Sequence, residues 1–301
     1  MHVIINDRAG TVVGADGEAI ADSVTRALEA GGHAVETSLI KPEQLDAALE
    51  RARSEFPDVL IVGGGDGTLR YAASVLLDSP VALGVLPLGT VNRFARDLGI
   101  PLEPKAAAEA LAQGTIRQVD VAEVNGRLYL CNAILGLTTR FSTVRQSLRG
   151  KAVMERLTGY TGALREMLNA RRRLGVRIDD GKVETNVRVL SLIVTNNAYA
   201  DDSTLTMRRP RLDAGTLAVY ASRHKSGWRM AAAAIKAMVG RIGGDQGIVH
   251  LTSKGLTVNV PSRRSVPLSI DGEVEHVSTP LVFAIRPKAL KVLGPRDPAS
   301  A

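Results

Sequence analysis

Six residues, Gly63-Gly64-Gly65-Asp66-Gly67-Thr68, follow an unbroken apolar run, Val59–Val62, and lead into a helical pattern. An apolar run without alternation marks a strand buried on both faces, as in a parallel sheet covered by helices. In such sheets ligands bind beyond the carboxyl ends of the strands. Glycines there let the backbone approach phosphate closely, and a following helix N-terminus adds positive potential. The spacing differs from the dinucleotide fingerprint, because Thr68 stands where a third glycine is needed, and it lacks the lysine of a P-loop. Asp66 is the informative residue. A carboxylate among phosphate-binding amides is unfavourable unless a cation bridges it or it works on a hydroxyl. The plainer reading is a glycine-rich turn with Asp66 as a helix N-cap.

Three further segments sit at strand ends. Leu86-Pro87-Leu88-Gly89-Thr90-Val91-Asn92-Arg93-Phe94-Ala95 again joins a β run to a helix. Gly89 and Thr90 can offer donors to a phosphate or ribose, and Asn92 falls in the expected first helical turn. Two such loops after neighbouring strands form one anion site, which capping alone explains poorly. Asn6-Asp7-Arg8-Ala9-Gly10 is weaker, and taken alone it reads as a plain turn before it reads as a site. Ile270-Asp271-Gly272-Glu273 ends an apolar strand; Asp-Gly is a hairpin signal, while the carboxylate pair offers a general base.

Strand and helix patterns alternate over residues 1–122: strands at His2–Asn6, His33–Thr37, Asp58–Val62 and Val81–Leu86, helices at Glu18–Ala30, Pro42–Ser54, Leu69–Leu77, Val91–Leu98 and Lys105–Gln113. This predicts an open, mainly parallel α/β sheet. Beyond about residue 120 short β runs dominate: Gln118–Val124, Leu128–Asn132, Gly175–Ile178, Val187–Thr195, Thr216–Tyr220, Gly255–Val260, Leu268–Ile270 and Pro280–Ile285. Asn125-Gly126 and Asp180-Gly181 supply turns, and helical stretches at Ser142–Arg173 and Ser226–Val239 interrupt. The expectation is a second, mostly antiparallel β domain, with a disordered tail after Pro295.

Lys and Arg exceed Asp and Glu by 38 − 31 = 7, with pI ≈ 9.7. That balance favours anionic partners. Aromatic residues are 3%, too few for the stacking platforms of single-strand binders, so nucleic acid is not expected. The single Cys131 excludes an internal disulfide and fits a reducing compartment. No secretory leader precedes HVIIN, and the apolar stretch Met230–Gly240 is short and broken by Lys236. A cytoplasmic protein with at most peripheral membrane contact is expected.

Gly64-Gly65-Asp66-Gly67-Thr68, then Pro87-Leu88-Gly89-Thr90 with Asn92 and Phe94, then Asp271-Gly272-Glu273, resembles the bacterial diacylglycerol kinase, YegS-like and sphingosine kinase family. Asn6 to Gly10 is similar to that family's N-terminal Asn-Pro-x-Ser-Gly segment. The resemblance runs from about residue 2 to about residue 294. It implies a phosphofructokinase-like nucleotide-binding α/β domain over 1–122, completed by a returning segment 283–295, and a lipid-substrate β-sandwich over 123–282. It implies ATP and Mg²⁺ as cofactors, a lipid as substrate, and Asp271 as the base that deprotonates the lipid hydroxyl, with Asp66 beside the phosphates as a Mg²⁺ ligand. The implied nucleotide contacts are Asn6, Gly10, Thr37, Gly64, Gly65, Asp66, Gly67, Thr68, Gly89, Thr90, Asn92 and Glu273.

The departures are specific. Arg70 and Tyr71 replace the family's Asn-Glu, and Arg93 replaces an Asp. The Asp-Asp-Gly-x-Leu segment that holds a structural Mg²⁺ is here Asp213-Ala214-Gly215-Thr216-Leu217. Loss of a carboxylate at Ala214 suggests that a guanidinium, from Arg93 or Arg211, takes the metal's place beside Asp213. Arg145, Arg149, Lys151 and Arg171-Arg172-Arg173 are placed to face an anionic membrane, or to form a solvated helical face. An NAD kinase shares the Gly-Gly-Asp-Gly-Thr loop but not the second loop. A catalytically silent lipid- or nucleotide-binding regulator is the reading from another class. The sequence selects neither the lipid nor the oligomeric state, a homodimer included.

Overall fold

The computed structural model describes residues 1–10, 12, 16–55, 57–137, 139, 161–162, 165, 168–170, 173–200, 208–238, 247–261 and 263–295. The expected stretch Ser142–Arg173 falls largely outside the described residues, as does the tail after Pro295. The chain divides into two compact units, Met1–Val121 with Pro287–Ala301, and Ala122–Arg286.

The first unit is built on β1 (His2–Asn6), β2 (Glu36–Ile40), β3 (Val59–Gly64) and β4 (Ala82–Pro87). They lie in the order β2-β1-β3-β4, every pair parallel, with Val292 and Leu293 from the end of β16 (Leu281–Gly294) beside Leu83 and Gly84. Every residue of β3 and β4 is buried. That is the two-sided burial expected of an apolar run without alternation. The crossovers are α1 (Gly17–Ala30), α2 (Leu45–Ser54), α3 (Asp66–Val75), α4 (Arg93–Leu98) and α5 (Pro104–Ala112). Asp16 caps α1 by accepting from the N–H of Glu18 and Ala19, and Glu103 caps α5 in the same way.

The second unit is a sandwich of antiparallel sheets. One has the order β12 (Ile248–Ser253), β11 (Leu217–Ser222), β10 (Ser191–Asn196), β7 (Asn132–Gly136), β14 (Ser265–Ile270), β15 (Glu273–Ser278). The other pairs the start of β16 with β13 (Gly255–Asn259), then β8 (Leu174–Asp179) and β9 (Glu184–Val189). Leu135, Val194, Val219 and Leu268 of the first sheet share one buried cluster with Val176, Ile178, Val258 and Phe283 of the second. A helix, α6 (Gly227–Met238), follows β11. The chain passes between the units within β5 (Thr115–Val124) and within β16.

Four sequence expectations need correction. The run Leu128–Asn132 is two strands, β6 (Arg127–Tyr129) and β7, broken at Leu130-Cys131 because side chains take the backbone groups a ladder would use. Val187–Thr195 is also two strands; at Leu190 the chain leaves one sheet for the other, its N–H donating to the Ser222 carbonyl. The strand expected at His33–Thr37 begins at Glu36. β12 and β15 escaped notice because both are sheet edges with half-polar, partly exposed sequences.

Candidate active site

Three loops leave the carboxyl ends of β1, β3 and β4 and meet. Gly65 and Gly89 pack backbone to backbone: a Cβ on Gly89 would lie 2.5 Å from the Gly65 Cα. No side chain larger than hydrogen fits there. The Leu88 N–H donates to the Gly64 carbonyl at 3.1 Å, tying the same two loops again. A Cβ on Gly10 would lie 3.4 Å from Thr90 Oγ1, which brings in the first loop. Asn6 shapes that loop, its Oδ1 accepting from the Arg8 N–H and its carbonyl from the Ala9 N–H. The Asp7 N–H reaches the Ile40 carbonyl at the end of β2.

Asp66, Gly67 and Thr68 form the first turn of α3, which begins three residues earlier than the sequence pattern suggests. Its N-cap, Gly65, is extended and offers no side-chain cap. The first N–H groups of a ten-residue helix therefore depend on partners other than a capping side chain. Asp66 is half-buried, and its Oδ1 accepts the Phe94 N–H at 3.2 Å, linking the second loop to the start of α4. Asn92 sits in the left-handed region at φ 52 and is the N-cap of α4, so that helix starts at Arg93. Its Oδ1 accepts from the Gly89 N–H at 2.8 Å, and its Nδ2 donates to the Gly89 and Pro87 carbonyls. Asn92 is buried and its side chain is spent on shaping the third loop.

Thr37 stands apart from this cluster. It lies mid-strand in β2, paired with Val3, and its hydroxyl meets that of Thr25 on α1 at 2.6 Å. Three residues separate it from the carboxyl end of its strand, roughly 10 Å of extended chain. Tyr71, one of the departures, has a structural use: its hydroxyl donates to the Asp46 carboxylate of α2, which also raises its pKa above the ordinary phenol value.

In the second unit the Asp271-Gly272 pair is a two-residue hairpin between β14 and β15, with φ 47 and 88. Both positive φ values are what the right-handed twist of a hairpin demands. The buried Asp271 carboxylate accepts three backbone N–H groups: Leu130 at 2.7 Å, Cys131 at 2.8 Å and Asn132 at 3.0 Å. Asp271 thus serves both the turn and, through its carboxylate, the β6–β7 junction. The opposite side of the same junction is held by Arg209, 1% exposed, whose Nη1 donates to the carbonyls of Leu130 at 2.7 Å and Asn196 at 2.6 Å. Asn196 Nδ2 adds a second donor to the Leu130 carbonyl. Burial pushes the Tyr129 phenol well above its ordinary pKa, the Asp271 charge adds to this, and Arg209 opposes it. Glu273 opens β15 opposite Ile270 and is half-exposed. Sequence reasoning missed Arg209 and Tyr129, since a single Arg beside Pro210 and a Tyr in a β run carry no signal of burial.

Asp213 does not fit a hard cation. Its Oδ1 accepts from Nε and Nη2 of Arg211, both at 3.3 Å, and the neighbouring Ala214 N–H goes to Asn197 Oδ1. The carboxylate is neutralised locally, and Mg²⁺ depends on several such oxygens. Asp66 fits better, as a carboxylate in the first turn of α3 beside the Gly65–Gly89 contact. Of the basic residues singled out for membrane contact, Arg145, Arg149, Lys151, Arg171 and Arg172 lie outside the described residues, and Arg173 is exposed. Among the described residues no helix is long and apolar enough to cross a membrane.

Residues 1–124 match the family model for the diacylglycerol kinase catalytic domain. The chain is 32% identical over 231 residues to a diacylglycerol kinase of Bacillus subtilis (strain 168), covering 75% of this chain and 74% of that one. A diacylglycerol kinase of Staphylococcus aureus (strain bovine RF122 / ET3-1) is 29% identical over 276 residues, 90% of this chain and 85% of the relative. A lipid kinase of the YegS-like kind from Pseudomonas aeruginosa is 43% identical over 120 residues, 38% of this chain and 39% of the relative. Among solved structures, a diacylglycerol kinase from Bacillus anthracis superposes with a TM-score of 0.70 at 19% identity, covering 100% of this chain and 97% of that one.

Proposed function

The chain belongs to the diacylglycerol kinase family, and from that premise we propose that it transfers the γ-phosphate of Mg·ATP to the hydroxyl of a lipid. The observation that carries this reading is the meeting of Gly65 and Gly89 in front of the uncapped N-terminus of α3. Two backbones in contact, each preceded by a buried parallel strand, stand before the first N–H groups and the dipole of α3, which suits polyphosphate. Asn92 keeps the Gly89 loop in this form, and Asp66 ties it to α4 while offering an oxygen to a cation. When bound there, Mg²⁺ would neutralise charge developing on the transferred group.

Asp271 has two roles to reconcile. The N–H groups of Leu130, Cys131 and Asn132 hold its carboxylate in one place. It first secures the β6–β7 junction, and in the proposed reaction it takes the proton of the lipid hydroxyl from that fixed position. Peripheral contact with an anionic membrane fits the net charge of +7 and the need to reach a lipid acceptor. The division of labour, nucleotide on the first unit and lipid on the second, belongs to the same proposal.

The test is ATP turnover by the purified chain with and without a total lipid extract. Lipid-stimulated, Mg²⁺-dependent turnover is expected. Phosphorylation of NAD instead would favour an NAD kinase, and nucleotide binding without any turnover would favour a silent regulator.

A further inference from the structure

Trp228 is the only tryptophan of the chain, and it is 63% exposed. It is the second residue of α6, and its backbone is held firmly. The N–H of the buried Gly227 donates to the Ala170 carbonyl at 2.8 Å, and the Met230 N–H closes the first turn on Ser226. The indole is therefore presented from a fixed frame. It lines an open depression of about 390 Å³ together with Thr161, Arg165, Leu168 and Asn169. None of these is acidic. Arg165, Arg223, Lys225 and Arg229 are all exposed. In the sequence no Asp or Glu occurs between Asp213 and Asp245, while Arg223, Lys225, Arg229, Lys236 and Arg241 do.

An exposed ring beside Leu168 and Arg165, with no acidic residue among the described lining and with exposed Lys225 and Arg229 within three residues of it in the chain, matches one kind of surface. Indole prefers the headgroup level of a bilayer, where its ring and N–H are both accommodated. Lys and Arg near it gain from the negative potential of an anionic leaflet. A helix with such a rim lies in the interface plane and does not span it.

We propose that Trp228, with Arg165 in the same depression and Lys225 and Arg229 next to it in the chain, is the face that docks on an anionic phospholipid surface, the indole seated among the headgroups. This deepens the lipid-kinase reading, which supplies the reason for docking, but its deciding readout, the tryptophan emission with vesicles, involves neither nucleotide nor transfer. Because Trp228 is the only tryptophan, the emission of the full chain reports on this residue alone. With phosphatidylserine–phosphatidylcholine vesicles we expect a blue shift and quenching by brominated acyl chains, both reversed by salt. Trp228→Ala is expected to weaken vesicle partitioning by about tenfold, with the same melting temperature and undiminished phosphotransfer to a short-chain, monodisperse lipid alcohol. Arg165→Glu with Lys225→Glu, in the chain that keeps Trp228, is expected to abolish the blue shift. An emission unmoved by anionic vesicles overturns the proposal. So does a shift that occurs without lipid as protein concentration rises, or with nucleic acid alone. Either result leaves the kinase assignment standing.

Discussion

Asp271 Oδ1 accepts the backbone N–H of Cys131 at 2.8 Å, across a strand junction that the sequence pattern had joined into one strand. The carboxylate proposed to act on the lipid hydroxyl is thereby also a structural element of the second unit, and substitution will test both roles together.

Asp271→Asn keeps one oxygen and replaces the other by an NH₂ facing a backbone donor. Leaving one buried N–H unsatisfied costs about 1–3 kcal/mol. We expect urea unfolding to show a loss of that order, nucleotide binding to persist, and phosphoryl transfer to fall by about 10²–10⁴-fold, as for removal of a positioned base. Transfer that falls only in proportion to the unfolded fraction would leave Asp271 a purely structural residue.

Asp66→Ala removes the carboxylate oxygen that accepts the Phe94 N–H, a hydrogen bond to a charged group worth about 1.5–3 kcal/mol. The melting temperature should therefore drop by only a few degrees, while Mg²⁺-dependent turnover falls more than about a hundredfold. Activity within about tenfold of the parent, or 1.4 kcal/mol of barrier, would remove Asp66 from the reaction.

Gly89→Ala places a methyl 2.5 Å from the Gly65 Cα, where backbone cannot yield cheaply. We expect the loops to be pushed apart and ATP affinity, read by calorimetry, to fall at least about tenfold. Gly181→Ala, in an open turn at φ 80 with nothing within reach of the added methyl, is the control: a cost of about 1 kcal/mol in stability and unchanged affinity. Equal effects at the two positions would contradict the loop-contact reading.

Tyr129 is fully buried, its hydroxyl has no hydrogen-bond partner among the described residues, and burial and Asp271 both raise its pKa. Its unfolded-state pKa is about 10. Above that value the unfolded chain releases a proton that the folded chain keeps, so stability should fall as pH rises past about 10. Tyr129→Phe removes both the unpaired hydroxyl and this alkaline sensitivity, and is expected to be neutral or stabilising by about 1 kcal/mol. A marked loss of stability on this substitution would reveal a partner for the hydroxyl.

Much of this molecule was legible in the sequence, for identifiable reasons. The buried strands β3 and β4 announce themselves by apolar runs, and the loops by their glycines, of which Gly89 has no room for a side chain. What escaped depends on long-range partners. The break at Leu130-Cys131 exists because Asp271 and Arg209, far along the chain, take its amides and carbonyl. The edge strands β12 and β15 escaped because a half-exposed edge needs few apolar residues. Thr37 shares a strand with the site's scaffold but not its rim, a distinction of depth along β2 that spacing does not encode. The guanidinium found on Asp213 is Arg211, its near neighbour, which a local pattern does allow.

Phosphoryl transfer to a lipid hydroxyl carries the γ-phosphate into an organic-soluble product. The most direct measurement is incubation of the purified full chain with γ-labelled ATP, Mg²⁺ and a total lipid extract, followed by extraction and mass spectrometry of the labelled product. Label is expected in an organic-phase lipid monophosphate, lost on omitting Mg²⁺ and in Asp66→Ala. Label found only in inorganic phosphate, or only in a water-soluble dinucleotide when NAD is supplied, would contradict it.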